Sequence, residues 1–165
     1  MLASAGYAVV RLTVHQPRDP FRTGAFEFDL APGWWCETEG TAYVCSPAGK
    51  PPYAAVAIIA MKQRGDEDNV QSYEQYLKQP KQLTDPAGHT TMSVVSYVKH
   101  VRLGHTDWIE ALHSGSELST YDTYYLATAN SYLGIVVTMS VDKEEEPKYI
   151  HQLTDMMGTL NLYQK

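Results

Sequence analysis

The sequence has 165 residues, of which 44% are hydrophobic, and its net charge is −6 at neutral pH. A chain of this length and composition can bury one hydrophobic core, so a disordered protein is excluded. Acidic and basic residues are interleaved, and the absence of a basic stripe argues against nucleic-acid binding. The apolar runs are too short for a membrane span, so no transmembrane segment is expected.

Residues 1–24 are predicted to form an N-terminal arm and a linker. Tyr7–Val14 is typical of an added strand or a tethering arm, and His15–Gly24 contains prolines and polar turn formers. Ala3–Ala5 resembles the small residues before a signal-peptide cleavage site, although no basic region precedes it. A signal peptide removed from the natural protein is one interpretation. The compact domain is predicted to be residues 25–165.

A strand, a sharp corner and a hairpin follow. Phe26–Leu30 alternates apolar and acidic residues, which predicts a half-buried strand. Pro32 and Gly33 end that strand. Trp34–Thr38 and Thr41–Cys45 are then predicted to be the two arms of a β-hairpin.

Both cysteines lie in this hairpin. If its turn is at Gly40 and Thr41, Cys36 lies directly opposite Cys45, at bridging distance for a non-hydrogen-bonded pair. Their spacing is poor for zinc and is not that of a redox CxxC motif. A disulfide is therefore predicted, and it would indicate an oxidising compartment. The alternative is two buried thiols in a cytosolic hairpin.

The next elements are an apolar strand and a helix. Tyr53–Lys62 is almost continuously apolar and predicts a central strand covered on both faces, with a buried helix as the alternative. Asp68 is expected to N-cap a helix at roughly residues 69–79. The inward face of that helix is predicted to consist of Val70, Tyr73, Tyr76 and Leu77.

The second half of the chain predicts an antiparallel meander and a final helix. Residues 82–89 are expected to be a loop. Glu144–Glu146 and Pro147 are typical of a helix start, and a helix at 147–160 would bury Leu153 and its neighbours. The four meander strands are predicted at Met92–Val101, His105–His113, Ser119–Thr128 and Tyr132–Val141.

The sequence contains no familiar catalytic or nucleotide-binding motif. His105, Asp107 and His113 share one face of a predicted strand, but about 25 Å of extended chain separates the two histidines. Neither a metal site nor a cofactor is therefore predicted. Trp108 and Glu110 are weak pocket candidates between the sheet and a helix, where a raised carboxyl pKa would suit acid–base work. The alternative is an ion pair between Glu110 and Lys99 or Arg102.

Aromatic residues suggest a protein-contact surface. Adjacent tryptophans on a strand point to opposite faces, so one of them can remain outside the core. An exposed tryptophan surrounded by tyrosines is typical of protein interfaces, and filling of the core is the alternative. The candidate surface consists of Trp34, Trp35, Tyr121, Tyr125 and Tyr132.

The order of elements, with the corner Pro32-Gly33-Trp34 after the strand Phe26–Leu30, resembles the PsbP/Mog1-like superfamily, including its small bacterial domains. The resemblance covers Ala25 to Leu160. It implies an α+β fold, an α/β/α sandwich around an antiparallel sheet of six to seven strands. Members of that superfamily are photosystem accessory proteins, a Ran-binding factor or chaperones of secreted toxins, and mostly not enzymes. No catalytic residue transfers, because the matched motif is structural.

These observations favour a non-enzymatic, extracytoplasmic accessory protein, periplasmic if bacterial, that contacts another protein. One alternative is a cytosolic chaperone-like adaptor of secreted proteins, which would require free thiols. Another is a small-ligand or enzymatic site at Trp108 and Glu110. The sequence leaves the oligomeric state open.

Overall fold

The computed structural model describes residues 19–163, so the expected strand Tyr7–Val14 lies outside the described residues. The described part contains α1 (Val70–Leu77) and α2 (Glu146–Gly158). Its strands are β1 (Pro20–Arg22), β2 (Phe26–Asp29), β3 (Trp34–Glu39), β4 (Ala42–Pro47), β5 (Ala55–Gln63), β6 (Gln82–Thr84), β7 (Thr90–Met92), β8 (Val94–Leu103), β9 (Thr106–Ser114), β10 (Tyr121–Ala129), β11 (Leu133–Asp142) and β12 (Asn161–Leu162).

The centre of the fold is a seven-stranded sheet with the order β3-β4-β5-β11-β10-β9-β8. All neighbouring strands are antiparallel. The α+β prediction is therefore confirmed, and the helix and meander bounds agree with the predicted ones within a few residues, the usual uncertainty of element ends. The physical basis is the alternation of side chains along each strand and the turn residues between strands.

The two helices lie on opposite faces of this sheet. Trp108 and Ile109 are neighbours on β9, so their side chains point to opposite faces. Trp108 packs in the larger core cluster together with Leu153 of α2, whereas Ile109 packs in a smaller cluster with Leu77 of α1. The faces are called the α2 face and the α1 face below.

A second, small sheet has the order β1-β2-β12. The linker prediction is wrong for Pro20–Arg22, which pairs with β2. Phe21 explains the difference, because its ring centroid lies 5.5 Å from that of Phe28 and 5.7 Å from that of Tyr43. Aromatic burial therefore stabilises a strand within a segment rich in turn formers.

Three further expectations differ from the structure. Part of the predicted loop 82–89 belongs to the hairpin formed by β6 and β7. The N-cap of α1 is Asn69, whose side chain accepts a hydrogen bond from the backbone N–H of Ser72 at 2.9 Å. Tyr76 is not an inward residue of α1, since 62% of it is exposed.

The two helices are short. None of the helices within residues 19–163 has the length and the apolar character needed to cross a bilayer.

Candidate functional site: the open half of the α1 face

The α2 face of the central sheet is covered on both halves, each by a different element. On one half, α2 buries Tyr149, Leu153, Met156 and Met157. On the other half, the small sheet buries Phe26 and Phe28, and the Phe26 ring stands edge-on to Tyr43 of β4 at 5.2 Å. This face is an ordinary two-layer core in which apolar side chains are removed from water.

The α1 face is covered on one half only. α1 has eight residues and buries only Leu77 among them. Leu77 packs with Ile109 and Ala111 of β9 and with Tyr125 and Ala127 of β10. β3, β4 and most of β5 are left without a helix above them, and α1 reaches β5 near Lys62 through Tyr73 and Asp68.

The strand register identifies the side chains on the half without a helix, some of them exposed and some half-buried. Tyr125 is paired with Thr138, Thr138 with Ile58, and Ile58 with Val44, so all of them lie on the α1 face. Along β5, residues 55, 57 and 59 are buried, whereas residues 58 and 60 are exposed. The expectation that this strand is covered on both faces is therefore wrong. We call Trp35, Val44, Val56, Ile58 and Ala60 the open half-face.

The open half-face has apolar side chains at its centre and at the end near Val56, called the upper end below; the end near Lys62 is called the lower end. Ile58 is 43% exposed and Trp35 is 38% exposed, both on β-strands that pack tightly on their other face. The Trp35 ring stands edge-on to Tyr53 at 6.4 Å. Beside them is a depression of about 370 Å³ lined by Val56, Ile58, Leu118 and residues around them. The surface can therefore bind apolar side chains.

A polar anchor defines the lower end of the open half-face. The carboxylate of Asp68 accepts hydrogen bonds from Gly65 N at 2.7 Å and from the Tyr73 hydroxyl at 2.9 Å, and lies 3.1 Å from Lys62 Nζ. The Gly65 hydrogen bond is the main reason why the pKa of Asp68 is lowered. Burial and the Asp68 carboxylate raise the pKa of Tyr73. This anchor ties the first turn of α1 to β5.

The charges around the open half-face are mainly acidic. Glu37 and Glu39 are exposed on β3, in register with Val44 and Ala42, so they point to the same face. Glu117 lines the upper depression. The ammonium group of Lys62, at the lower end, is paired with Asp68. The rim therefore favours a basic ligand surface.

The structure does not bring the five predicted aromatic residues together. Trp35 lies on the open half-face, and Tyr121 lies at its upper edge, with its hydroxyl donating to Tyr53 O at 2.8 Å. Trp34 is buried on the α2 face, where its Nε1 donates to Gln152 Oε1 at 2.7 Å. Tyr125 is buried beneath α1, and Tyr132 is exposed at the β10–β11 turn.

The pocket candidates Trp108 and Glu110 lie on the α2 face. Trp108 is fully buried in the larger cluster. Glu110 Oε1 accepts a hydrogen bond from the Tyr97 hydroxyl at 2.9 Å, and Lys99 Nζ lies 3.8 Å from Oε2. Both side chains are packed between strand and helix, and the alternative pairing of Glu110 with Lys99 is present.

The histidine and aspartate positions considered for a metal do not form a site. Within residues 19–163, no group of three or more His, Cys, Asp and Glu side chains is placed to hold a metal ion. Asp107 instead accepts a hydrogen bond from Arg102 at 2.9 Å, and His113 is buried against α1.

The sequence interpretation missed Tyr53, Ile58 and Leu118 as surface residues. The predicted elements did indicate that part of the sheet is uncovered, because two helices, one of them short, cannot cover both faces of about seven strands. The apolar saturation of Tyr53–Lys62 concealed it, since a strand with two apolar faces is normally buried on both.

The disulfide joins the two hairpin arms at the predicted register. Cys36 is paired with Cys45, and the structure contains the bond between their sulfur atoms. Cys45 is buried in the larger cluster on the α2 face, so the disulfide attaches β3 to the core on that face. Trp35, the next residue on β3, is thereby held at the edge of the open half-face.

No protein-family model matches the chain, and no curated protein matches its sequence. Solved structures do share its fold. PsbP (CyanoP) from Synechocystis sp. PCC 6803 is 10% identical with a TM-score of 0.57, covering 98% of this chain and 99% of that one. LpqN, involved in cell envelope biogenesis of Mycobacterium tuberculosis, is 11% identical with a TM-score of 0.58, covering 92% and 88%.

Two further structures agree. The Saccharomyces cerevisiae Ran-binding protein Mog1p is 11% identical with a TM-score of 0.53, covering 88% of this chain and 96% of its own. A Bacteroides thetaiotaomicron VPI-5482 structure is 11% identical with a TM-score of 0.60 over 85% of this chain, which spans only 46% of that longer chain. The protein therefore has the PsbP/Mog1-like fold, as the order of its elements predicts. At such identities the likeness defines the fold alone.

Proposed function

We propose that this protein is a non-enzymatic, extracytoplasmic accessory protein that binds another protein through its open half-face. The observation that carries the proposal is the uncovered apolar half of the α1 face, where Ile58 and Trp35 are both more than one third exposed. Exposed apolar side chains grouped on a rigid sheet are typical of interaction sites rather than of free surface.

The chemistry of the partner follows from the rim. Apolar side chains of the partner would cover Ile58 and Val56, and an aromatic or aliphatic side chain fits the depression beside Leu118. Glu37, Glu39 and Glu117 would face lysine or arginine residues at the border of the contact. The partner is thus a protein segment with an apolar centre and basic flanks.

Two observations support an extracytoplasmic location. The Cys36–Cys45 disulfide is of the kind that persists in oxidising compartments. One structural neighbour, LpqN, is involved in cell envelope biogenesis. The same fold also occurs in a Ran-binding protein, so the fold alone does not select the location. The disulfide favours the envelope over a cytosolic adaptor with free thiols.

Site-specific crosslinking in the native host tests the contact. A photoreactive benzoylphenylalanine replaces Ile58 in one variant and Val94, 65% exposed on the edge strand β8, in a matched control. We expect one discrete adduct from position 58, absent from position 94, in the envelope fraction. Excess wild-type protein should compete with the adduct, whereas an excess of the Ile58→Lys variant should not.

Identical adducts from both positions, or no adduct at position 58, would contradict the proposed contact. The location is checked separately by intact mass of the protein isolated from its host after alkylation without reductant. A bridged protein gains no alkyl groups. Modification of both cysteines would favour the cytosolic adaptor.

A further inference from the structure

His113 is fully buried where α1, β9 and the root of the β6–β7 hairpin meet. Its Nε2 lies 2.8 Å from the carbonyl oxygen of Leu77, in the last turn of α1. Its Nδ1 lies 2.9 Å from Ser93 Oγ, just after β7. The ring also stands edge-on to Tyr125 at 5.0 Å. One imidazole therefore connects three elements on the α1 face.

The partners of the ring define its neutral tautomer. The Leu77 carbonyl can only accept, so Nε2 carries a hydrogen and donates it. In a neutral ring Nδ1 is then an acceptor, and the Ser93 hydroxyl donates to it. Ser93 Oγ in turn accepts from Lys81 N–H at 2.8 Å, which uses the oxygen as acceptor and leaves its hydrogen for the ring.

This hydrogen-bond network holds the C-terminal end of α1 on the sheet. The last carbonyls of a helix have no partner within the helix, and His113 satisfies that of Leu77. α1 has eight residues and only one buried side chain, so its attachment depends strongly on such end contacts. Ser93 N also donates to Lys81 O at 2.8 Å, which closes the root of the hairpin.

The surroundings of His113 disfavour a positive charge. Lys81, in the segment after α1, carries a charge that opposes protonation, and Tyr125 is the titratable group whose ring contacts His113 from β10. Val95 and Thr123, its register partners on β8 and β10, are uncharged. Burial is the main reason why the pKa of His113 is lowered, Lys81 adds to it, and the Leu77 hydrogen bond opposes it.

We propose that His113 is an acid-sensitive latch, whose protonation releases the C-terminal end of α1 and the root of the β6–β7 hairpin from the sheet. A proton from solvent binds Nδ1, which then becomes a donor. The Ser93 hydroxyl loses the acceptor of its hydrogen inside the fold, and a cation is left without a carboxylate partner among the contacts described above. Opening exposes both groups to water, where they are again hydrogen-bonded.

The direction of the pH effect follows from the lowered pKa. The opened state has the ordinary histidine value of about 6.5, whereas the closed state binds its proton only at lower pH. The latch is therefore fully effective above about pH 6.5, and its stabilisation is lost as the pH falls through the lowered value of the closed state. Because Tyr76 and Leu77 line the depression of about 460 Å³ beside the open half-face, opening also changes that surface. Only this last consequence depends on the proposed function.

The tautomer is tested by long-range ¹H–¹⁵N NMR correlation spectra of uniformly ¹⁵N-labelled protein. We expect the His113 ring to be the neutral Nε2–H form at pH 7, with a transition below the ordinary histidine value of about 6.5. A ring that is Nδ1–H, or already charged at pH 7, would overturn the proposal without any variant.

The release is tested by amide hydrogen exchange at pH 7 and pH 5, corrected for the intrinsic pH dependence of exchange. Between these two pH values, protection of the Lys81 and Ser93 amides should fall by up to about tenfold for each pH unit below 6.5, until the pH reaches the closed-state pKa. The His113→Gln variant should lose this pH dependence. The matched control His100→Gln, which removes an exposed histidine paired with Glu74 of α1 at 2.9 Å, should retain it.

Equal protection at both pH values in the wild-type protein would refute the latch, whatever the variants do. A pH dependence that survives in folded His113→Gln would refute it as well. A lost photo-adduct with an intact latch would contradict the proposed function alone.

Discussion

The two faces of the central sheet are stabilised in different ways. The α2 face is held by apolar burial, with four buried residues from α2 and a second sheet over the remaining half. The α1 face has one short helix with a single buried residue, held by polar contacts at both ends. Asp68 holds its start through Tyr73, and His113 holds its end through Leu77.

This difference separates stability from binding. Apolar burial is non-directional and insensitive to mild changes of pH, so the α2 face provides a rigid base. Polar anchors depend on protonation and geometry, so α1 can loosen while the sheet remains folded. The half-covered face can therefore serve as the contact surface without a large cost to the fold.

The largest expected effect contrasts one residue from each face. Leu153→Ala should reduce the free energy of unfolding by about 2–5 kcal/mol, because it opens a cavity under a fully buried side chain. Ile58→Ala, 43% exposed on the other face, should cost less than about 1 kcal/mol. Urea unfolding of both variants measures the difference. Equal losses would mean that the open half-face is covered in solution.

The disulfide should have the next largest effect. The double variant Cys36→Ala/Cys45→Ala should lose about 2–3 kcal/mol, because the bridge closes a short loop in the unfolded chain. Reduced wild-type protein is the matched control and should lose a similar amount. The thermal unfolding midpoint measures both. If neither shifts it, β3 is held by its strand pairing and by Trp34 alone.

The start of α1 provides a pH-dependent test of the polar anchors. Asp68→Asn should cost about 1–3 kcal/mol at neutral pH, because a buried network loses its charged acceptor. The exposed neighbour Asp66→Asn is the control and should cost little.

The direction of this pH effect follows from the lowered pKa of Asp68 in the folded state. The folded-state pKa of Asp68 is lowered, so its stabilisation is present above the ordinary value of about 3.9. It is lost as the pH falls through the lowered value. The difference in unfolding free energy between wild type and Asp68→Asn should therefore shrink in acid. A constant difference from pH 7 to pH 2 would rule out the ionised carboxylate as the anchor.

The adjacent tryptophans give the smallest and sharpest contrast. Trp34→Phe should cost about 1 kcal/mol or more, because Gln152 loses the Nε1 hydrogen bond on the buried face. Trp35→Phe should cost less than about 0.5 kcal/mol, as expected at a largely exposed position. Chemical unfolding of the pair measures this. The opposite order would reverse the assignment of the two faces at β3.

Much of the fold is predictable because its signals are local. Alternation in Phe26–Leu30, turn residues in the meander and the start of a helix at Pro147 each act over a few residues. The opposition of Cys36 and Cys45 follows from one turn and the pairing rule of antiparallel strands. The sequence did not show which of the five aromatic residues of the predicted contact surface are exposed. Trp34 and Tyr125 are buried by elements that are distant in sequence.

The candidate site depends on which strands a helix reaches. Nothing local in Tyr53–Lys62 distinguishes a strand covered twice from one covered once, because the same apolar residues suit both. Likewise, a histidine at position 113 does not reveal that Leu77 and Ser93, 36 and 20 residues away, will be its partners.

The sequence by itself determined the order of elements, the hairpin with its disulfide and the α+β class, because backbone geometry and side-chain periodicity act between near neighbours. Only the tertiary structure decided which half of the sheet remains open and which polar groups fasten α1. Those features arise from long-range packing, in which the length of one helix and the register of seven strands decide what is covered.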